Sequence, residues 1–382
     1  MSEISDMIQR LCPDGVEYRK IKDTVGVNRG SRLTKSQLID DGMYEVYHGS
    51  KDTPLGRYNH YNAPRYSTIV VNTGGIGGVK FLDDDFWCSD GSFWLGQVPY
   101  IEPKYLYYCL SGYEDYFYSK KRVGGVPTID RAVVEDFEIP VPPLEVQRKI
   151  VEVLDNFSEL TAELTAELEA RKKQYEYYRD NLLNFSQIAP PNSVKWMKLG
   201  EIGDVKMCKR VMKHQTNTEY GIPFYKIGTF GKTADAFISQ ELFNELKNSY
   251  SYPKYGDILI SASGTIGRTV VYNGEDAYYQ DSNIVWIDND ESIALNSYLK
   301  IIYQVIEWKV EGGTIKRLYN DNIKNTVIPI PPLSEQERIV SILDRFEALT
   351  TDLTSGLPAE IKARQQQYEY YRDQLLTFKR AN

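Results

Sequence analysis

The heptapeptide Gln-Tyr-Glu-Tyr-Tyr-Arg-Asp occurs twice in the chain, at residues 174–180 and again at residues 367–373. A second element, Ile-Pro-x-Pro-Pro-Leu, precedes each copy, at residues 139–144 and 328–333. The two copies of this element lie 189 residues apart, whereas the units of solenoid proteins repeat every 20–50 residues or roughly so. The sequence therefore predicts a duplicated half-protein, and two similar halves imply two similar tasks at two places.

The chain alternates between variable and constant parts. The stretches after each Ile-Pro-x-Pro-Pro-Leu element match well, whereas the residues before it match only in scattered places, such as Ser-Asp-Gly-Ser at 89–92 with Gln-Asp-Ser-Asn at 280–283. Constant parts are expected to hold something fixed, and variable parts are expected to differ in what they recognise. The variable parts are residues 1–138 and 187–327, and the constant parts are residues 139–186 and 328–382.

The composition is typical of a globular protein, with 42% hydrophobic and 26% charged residues among 382. We expect a cytoplasmic protein, because the sequence shows neither the regions of a signal peptide nor a run of about 18 apolar residues. The four cysteines are scattered and are expected to be reduced and buried. Much of the net charge of −8 falls in the constant parts, so the nearly neutral variable parts can still carry basic patches for DNA.

The first constant part predicts one long helix. Pro142-Pro143 marks its start, since proline is tolerated in the first turn of a helix and not beyond it. From Ile150 to Phe185 the seam positions follow alternating steps of four and three residues, and all are apolar except Thr161 and Arg171; this is the seam of a coiled coil. A buried globular helix is the alternative, but the pattern is unusually long and regular for one. The seam includes Leu154, Phe157, Leu164, Leu168, Tyr175, Tyr178 and Leu182.

The second constant part predicts a helix with a defect. Two four-residue steps follow one another between Leu353 and Ile361, and such a stutter locally unwinds a coiled coil. Gly356 and Pro358 lie within the stutter, so we expect this helix to kink or break there. The seam of this part includes Leu343, Phe346, Leu353, Tyr368, Tyr371 and Leu375.

Chain connectivity suggests how the two helices pair. Each helix leaves a variable domain at its own N-terminus, and each is the matching seam for the other. Side-by-side pairing is then antiparallel, with the variable domains at opposite ends and a pseudo-two-fold relation between the halves.

The repeated heptapeptide also predicts a docking surface. Tyr177 and Tyr370 lie off the seam, and Arg179 and Arg372 follow two residues later in each copy. Exposed aromatic residues at a repeated site suggest a protein partner that binds twice. Simple edge packing of the helices is the alternative.

A tandem tetrapeptide, Thr-Ala-Glu-Leu, occupies residues 161–164 and 165–168 of the first helix. Each copy adds about one helical turn, or roughly 6 Å. We interpret the repeat as a spacer whose length can change, and a chance match of common helix-forming residues is the alternative.

These features together resemble the specificity subunit of Type I restriction–modification systems, over almost the whole chain. The resemblance rests on the Leu-Cys-Pro-Asp-Gly-Val-Glu opening, the strand and loop of residues 256–267, both Ile-Pro-x-Pro-Pro-Leu elements and the tandem Thr-Ala-Glu-Leu. It implies an α/β (α+β) fold, in which two mixed α/β target-recognition domains, residues 1–138 and 187–327, are separated by two long antiparallel coiled-coil helices.

The resemblance also implies a function. In that family each recognition domain reads one half of a split double-stranded DNA target, and the helices set the gap between the halves. Two copies of an adenine methyltransferase subunit dock on the helices, and a restriction subunit can join the complex through them. The cofactor S-adenosylmethionine is then expected on the methyltransferase subunit, and no cofactor is expected on this chain.

The sequence contains no recognisable catalytic motif. Residues 228–233 superficially resemble a phosphate-binding loop, but Lys226 stands where that loop requires its first glycine. The three histidines lack the spacing of metal ligands. We therefore expect no catalytic residue and no bound metal.

Residues that bind DNA are then expected in the variable domains. Basic clusters near the start of each domain are expected to hold phosphates. Glycine-rich loops allow close backbone approach, and Arg268 could reach a guanine edge or a phosphate; each loop could also be an ordinary turn. The DNA-binding candidates are Arg29, Arg32, Lys35, Gly75, Gly77, Lys80, Lys120, Lys121 and Arg122 in the first domain, and Lys206, Lys209, Arg210, Lys213, Ser263, Gly264, Thr265, Arg268, Lys316 and Arg317 in the second.

Three functions are compatible with these features. The first, which the motifs favour, is a non-catalytic DNA-recognition subunit of a restricting or a methylation-only complex. The second is a nuclease or methyltransferase in one chain, which methyl transfer by the purified chain alone would reveal. The third is a coiled-coil adaptor that does not read DNA, which sequence-independent DNA binding by the assembled complex would favour.

Overall fold

The computed structural model describes residues 2–122, 124–185, 193–312, 316–352 and 354–381. The chain divides into two compact units: unit 1 is Met1–Leu168 with Leu353–Asn382, and unit 2 is Glu169–Asp352. Each unit therefore combines one variable domain with a portion of both constant parts. One boundary directly follows the tandem Thr-Ala-Glu-Leu repeat, and the other lies where the stutter begins, between residues 352 and 353.

Helices and strands alternate irregularly along the chain. Helices α1–α5 are Ser2–Leu11, Pro103–Ser111, Glu114–Ser119, Arg131–Glu135 and Leu144–Leu182, and helices α6–α11 are Leu199–Ile202, Gln240–Ser249, Asn296–Val305, Asn320–Asn325, Leu333–Thr351 and Leu357–Leu375. Strands β1–β9 are Tyr18–Lys20, Val27–Arg29, Tyr44–Tyr47, Gly56–Tyr58, Ser67–Val71, Val79–Leu82, Trp87–Cys88, Ser92–Leu95 and Glu138–Pro140. Strands β10–β19 are Lys195–Lys198, Gly203–Lys206, Thr216–Asn217, Ile222–Tyr225, Phe237–Ile238, Ile258–Ser261, Thr269–Val271, Tyr278–Tyr279, Ile284–Asn289 and Val327–Ile330.

The two variable domains share most of their topology and differ by one strand in the smaller sheet, β4-β3-β7 against β12-β14-β13-β17. A four-stranded sheet has the order β2-β8-β5-β6 in the first domain and β11-β18-β15-β16 in the second. A smaller sheet contains one parallel pair, β3 with β7 in the first domain and β13 with β17 in the second. An antiparallel pair, β1 with β9 or β10 with β19, completes each domain. The duplication thus extends into the parts whose sequences diverge, and the expected mixed α/β fold is confirmed.

Strand β5 in the first domain and strand β15 in the second, each an inner strand of its large sheet and called here the central strand, are buried on both faces. Successive side chains of a strand point to opposite faces, so Val70 joins the core that contains α2, while Ile69 joins a smaller cluster with Phe86. In the second domain Ile260 and Leu259 divide in the same way between two clusters. The loops that leave these strands are therefore anchored on packed elements.

Helix α5 runs without interruption for 39 residues. Within unit 1 the ring of Phe157 contacts Tyr371 of α11, and within unit 2 the ring of Tyr178 contacts Phe346 of α10. The later residue of α5 thus contacts the earlier residue of the second constant part, which is the order of an antiparallel pair. Buried or half-buried positions on α5 include Leu154, Phe157, Leu164, Leu168, Tyr175 and Leu182, whereas Tyr178 is 39% exposed.

The second constant part is broken at the stutter. Helix α10 ends at Thr351 and helix α11 begins at Leu357. Gly356 is the N-cap of α11, and Pro358 lies in its first turn, where the missing N–H of proline costs no hydrogen bond. Of the two outcomes expected there, a kink or a break, the chain has the break. Leu353, which the sequence assigns to the seam, lies outside the described residues.

A buried glutamine joins each constant part to its variable domain. The carboxamide of Gln147 donates to the carbonyls of Tyr100 and Pro142 and accepts the N–H of Glu102, at 2.7–3.0 Å. Gln336 makes the equivalent bonds, to the backbone of Ile293, Pro331 and Leu295. Both glutamines are 0% exposed, so these hydrogen bonds replace the water that each amide loses on folding.

The cysteines are unpaired, as expected: Cys88, Cys109 and Cys208 are buried, and Cys12 is partly buried. Burial raises the pKa of the Cys109 thiol to about 12, which keeps it protonated and unreactive. Among the described residues, no helix combines the length and the apolar character that a membrane crossing requires.

Candidate nucleic-acid interface

Each variable domain carries a basic turn of the same construction. The two turns share the pattern Arg-x-x-Lys-x-Gln, at residues 32–37 and 210–215. In both, the glutamine side-chain oxygen accepts the backbone N–H three residues earlier, at 2.9 Å in the first domain and 2.8 Å in the second. This bond closes a 3₁₀ turn, so the two cations occupy matching places. All four cations are exposed: Arg32, Lys35, Arg210 and Lys213.

A glycine loop follows the buried central strand of each domain, at residues 73–78 and 263–268. The N–H groups of Gly77 and Gly267 donate back to the strand at 2.9 Å, and both residues have positive φ. A Cβ on Gly77 would lie 2.6 Å from the carbonyl oxygen of Glu114, and one on Gly267 would lie 2.7 Å from the ring of Trp308. The backbone therefore requires glycine at both positions. The other predicted loop residues, Gly75, Gly264 and Thr265, are exposed, and Ser263 is half-buried.

A third loop brings the basic turn and the glycine loop together. In the second domain it is residues 280–283, where Asp281 accepts the Nε–H of Arg210 at 2.8 Å and Asn283 accepts the hydroxyl of Ser263 at 2.8 Å. In the first domain it is residues 89–92, which accept the backbone N–H groups of Leu33 at 3.4 Å and Thr73 at 3.3 Å. The predicted regions are thus neighbours within each domain.

The loops that carry Lys120, Lys121 and Arg122 in the first domain and Lys316 and Arg317 in the second also adjoin the glycine loops. Isolated β-bridges connect Thr73 with Thr128 in the first domain and Ser263 with Arg317 in the second. Arg317 donates to the carbonyl and hydroxyl oxygens of Ser282, at 2.8 and 2.9 Å. Its guanidinium therefore holds two loops of the second domain together.

The predicted cations divide into two groups by exposure. Lys80 is half-buried and donates to the hydroxyl of Tyr47 at 3.2 Å, and Arg268 is half-buried and donates to the carbonyl of Phe230 at 2.9 Å. Burial, followed by a hydrogen bond to Glu45, raises the pKa of Tyr47, which stays neutral beside Lys80. The other half-buried cations are Lys121, Lys206 and Arg317, and the exposed ones are Arg29, Arg32, Lys35, Lys120, Arg122, Lys209, Arg210, Lys213 and Lys316.

The basic turn of the second domain borders a cleft of about 550 Å³. Besides Arg210 and Lys213, its wall includes three carboxamides and a further cation, which are Asn217, Gln280, Asn283 and Lys226. Sequence reasoning did not select these four residues. The alignment of residues 280–283 with residues 89–92 was a signal for Gln280 and Asn283, because their counterparts, Ser89 and Ser92, differ from them in chemistry.

A cleft of about 560 Å³ lies beside β3, β4 and β6 of the first domain. Its wall mixes cations with a run of three acidic residues: Arg57, Arg65 and Lys80 with Asp83, Asp84 and Asp85. Within the described ranges, no group of three or more His, Cys, Asp or Glu side chains is placed to hold a metal ion. The chemistry of both clefts is that of hydrogen bonding and charge.

In both heptapeptides the off-seam tyrosine is more exposed to solvent than the arginine. Tyr177 is 66% exposed and Tyr370 is 61% exposed. The side chains of Arg179 and Arg372 are only 20% and 14% exposed, and each pairs with the following aspartate at 2.8 Å. Each arginine also lies 5.8 Å from the ring of the tyrosine four residues before it. The exposed part of each predicted docking site is therefore the tyrosine ring.

The chain is similar to known proteins along most of its length. The Type I restriction modification DNA specificity domain family matches residues 13–171 and 191–363. A Haemophilus influenzae protein named as a type I restriction enzyme specificity subunit is 51% identical over 95% of this chain and 96% of its own. The EcoR124I/EcoR124II specificity subunit of Escherichia coli is 34% identical over 72% of this chain and 70% of its own.

Two solved structures share the fold. The S subunit of a Type I restriction–modification system from M. genitalium superposes with a TM-score of 0.60 at 18% identity, covering 95% of this chain and 96% of its own. A chain from a study of complex assembly and conformational transition of the type I R-M system gives 0.61 at 20% identity, covering 95% and 97%. At these identities the likeness concerns the fold alone.

Proposed function

Because the chain belongs to the family of Type I restriction–modification specificity subunits, with their DNA-recognition domains, we propose that each variable domain reads one half of a split double-stranded DNA target. The observation that carries the proposal is that the two domains have equivalent backbone hydrogen bonds and different side chains beside them. The backbone carbonyl of Tyr47 accepts the N–H of Ser89 at 2.8 Å, and the backbone carbonyl of Tyr225 accepts the N–H of Gln280 at 2.9 Å. The next residues are His48 in one domain and Lys226 in the other, so equivalent backbones carry unlike chemistry.

The repeated basic turns suit phosphate binding. Contacts to phosphates fix the register of a protein on DNA without reading the sequence, and the Arg-x-x-Lys pair occurs at the same place in both domains. Residues in and beside the third loop, at 89–92 and 280–283, differ between the domains, so they are the natural readers of the two different half-sites.

The paired helices are proposed to set the gap and to hold the catalytic partners. Tyr177 and Tyr370 expose identical rings at equivalent positions of the two constant parts, which suits two copies of one adenine methyltransferase subunit. A restriction subunit would join through that complex. S-adenosylmethionine would bind the methyltransferase subunits, and this chain would supply recognition without catalysis.

The test is to assemble the chain with its methyltransferase subunit, supply S-adenosylmethionine, and map the methylated bases on a complex DNA library. We expect one methylated adenine in each half of a split, asymmetric sequence. The chain alone and the methyltransferase subunit alone serve as controls. Methylation by the chain alone would identify an enzyme, and sequence-independent methylation by the assembled complex would identify an adaptor that does not read DNA.

A further inference from the structure

Three carboxamides line the cleft of the second domain, and each turns its oxygen into the protein. The oxygen of Gln280 accepts the backbone N–H of Ile227 at 3.0 Å. The oxygen of Asn217 accepts two backbone N–H groups, at 2.9 Å each, and that of Asn283 accepts the hydroxyl of Ser263 at 2.8 Å. A backbone N–H only donates, so its partner atom in Gln280 and Asn217 is the oxygen. The NH₂ ends of Gln280 and Asn217, which only donate, are therefore left for the cleft.

Three cations complete the donor character of this wall. Arg210 is held by Asp281, which accepts its Nε–H and has a side chain only 17% exposed. This leaves the two terminal amino groups of the guanidinium to donate. Lys213 and Lys226 also line the cleft, and Lys226 is paired with Asp235 at 2.8 Å. The side-chain acceptors of the wall, apart from the amide oxygens, are the carboxylate of Asp281, whose Oδ2 accepts from Arg210, and the hydroxyls of Thr216 and Thr218.

We propose that this cleft reads base edges that carry hydrogen-bond acceptors, so that guanine or thymine, and not cytosine, faces Gln280 in the half-site of the second domain. This rests on the proposed function. In the major groove guanine presents the acceptors N7 and O6, thymine presents O4, and cytosine presents only its N4 donor. A wall of donors pairs with the first two bases and leaves a facing cytosine amino group without an acceptor.

At the equivalent positions of the first domain, Ser89 and Ser92 replace Gln280 and Asn283, and both serines are buried. A hydroxyl both donates and accepts, and the Ser89 hydroxyl donates to Asp90 at 3.1 Å and contacts Nδ1 of His48 at 3.2 Å. The preference for acceptor-bearing bases therefore belongs to the second half-site alone.

The variant Gln280→Glu tests the proposal with little change of shape. It keeps an oxygen for the N–H of Ile227 and replaces the NH₂ group by a second acceptor. The assembled complex with its methyltransferase subunit is used to select DNA from a library randomised in both half-sites. The matched control is Gln240→Glu, an exposed residue of α7 outside the cleft wall, which adds the same charge to the same domain.

We expect the unaltered complex and Gln240→Glu to select guanine or thymine at one position of the second half-site. Gln280→Glu should shift that position toward cytosine or adenine, whose amino groups donate, by roughly tenfold or more. The first half-site should not change. The readout is base preference, because an added negative charge weakens binding to every sequence alike.

Asn217→Asp provides a second variant in case the first does not assemble, since it also keeps its oxygen for the backbone. We expect it to shift preference within the same half-site. The proposal would be overturned if the variants that assemble kept the base preference of the unaltered complex. It would also be overturned if the unaltered complex selected cytosine at the position that responds to the variants. Either result would leave bipartite reading intact. Loss of all sequence selection in the unaltered complex would instead overturn the proposed function.

Discussion

The ring of Phe157 stacks on the ring of Tyr371, with 5.2 Å between the centroids and 28° between the planes. The sequence repeat makes Phe346 the counterpart of Phe157 and Tyr178 the counterpart of Tyr371, and these two rings lie 5.4 Å apart. Each unit thus joins the two constant parts through the same aromatic pair, with the roles of the two parts exchanged.

A double-mutant cycle at this pair should give a coupling free energy of about 0.5–1.5 kcal/mol, the usual value for aromatic contacts beyond the area they bury. The cycle uses Phe157→Ala, Tyr371→Ala and both together, with the free energy of unfolding measured in urea. Tyr370→Ala is the matched control, because its ring is exposed and its effect should add to that of Phe157→Ala within about 0.3–0.5 kcal/mol. Equal coupling for both tyrosines would refute a specific contact.

Gln147→Leu should lower the free energy of unfolding by about 3 kcal/mol or more, since buried backbone groups left without a partner cost roughly 1–3 kcal/mol each. Leucine has a similar volume and cannot serve the three backbone groups that Gln147 bonds. Urea unfolding would measure the loss. Gln365→Leu, at an exposed position of α11, should change the free energy of unfolding by no more than about 0.5 kcal/mol. A loss as large as that of Gln147→Leu would show that the effect does not come from the buried hydrogen bonds.

Exchange of residues 187–327 for those of a relative with another target should alter one half of the methylated motif. The reason is that the second variable domain has its own sheets and its own loops. Mapping of methyladenines in DNA treated with the assembled complex gives the result. If both half-sites changed together, the two domains would not be independent readers.

Lys35→Ala and Lys213→Ala should each reduce the slope of log K against log salt by about 0.9, the value for one lost phosphate contact. Each lysine is exposed on its basic turn. Binding of the assembled complex to its target at several salt concentrations provides the slopes, and base preference should not change. Lys173→Ala, on the exposed surface of α5, is the control that should leave the slope unaltered. A change in base preference would instead assign these lysines to reading.

Deletion of residues 165–168 should shorten the non-specific gap and leave both half-site sequences unchanged. The four residues span about 6 Å of helix, and one base pair rises about 3.4 Å. Their removal rotates the rest of α5 by only about 40° relative to whole turns, so the methyltransferase subunits should still dock. Methylome mapping of the deletion would decide: an unchanged gap in an active complex would mean that the helices tether the domains without measuring distance.

The sequence carried enough information for the duplication and the helices because those signals are local and periodic. The Ile-Pro-x-Pro-Pro-Leu elements each precede a helix, and Gly356 with Pro358 marked the break between α10 and α11. Regular spacing and proline act through the backbone within a few residues, so no knowledge of distant contacts was needed.

The cleft of the second domain could not be found in that way. Its wall combines Arg210, Asn217 and Lys226 with Gln280 and Asn283, and the two groups are more than fifty residues apart in the chain. A sequence shows that a residue is an amide or a cation, but it does not show which end of the amide faces solvent. Arg317 illustrates the same limit, since its charge was evident and its hydrogen bonds to Ser282 were not.

The glutamines at the starts of α5 and α10 affect how readily a variable domain can be replaced by another during evolution. Gln147 and Gln336 bind their domains only through backbone N–H and carbonyl groups. A loop of the same shape provides these groups whatever its side chains, provided that proline does not stand at residue 102 or 295. These hydrogen bonds therefore do not depend on the side chains of the variable domain. A chain in which recombination inside an Ile-Pro-x-Pro-Pro-Leu element replaced one variable domain would therefore keep both its helix and the glutamine that holds the new domain.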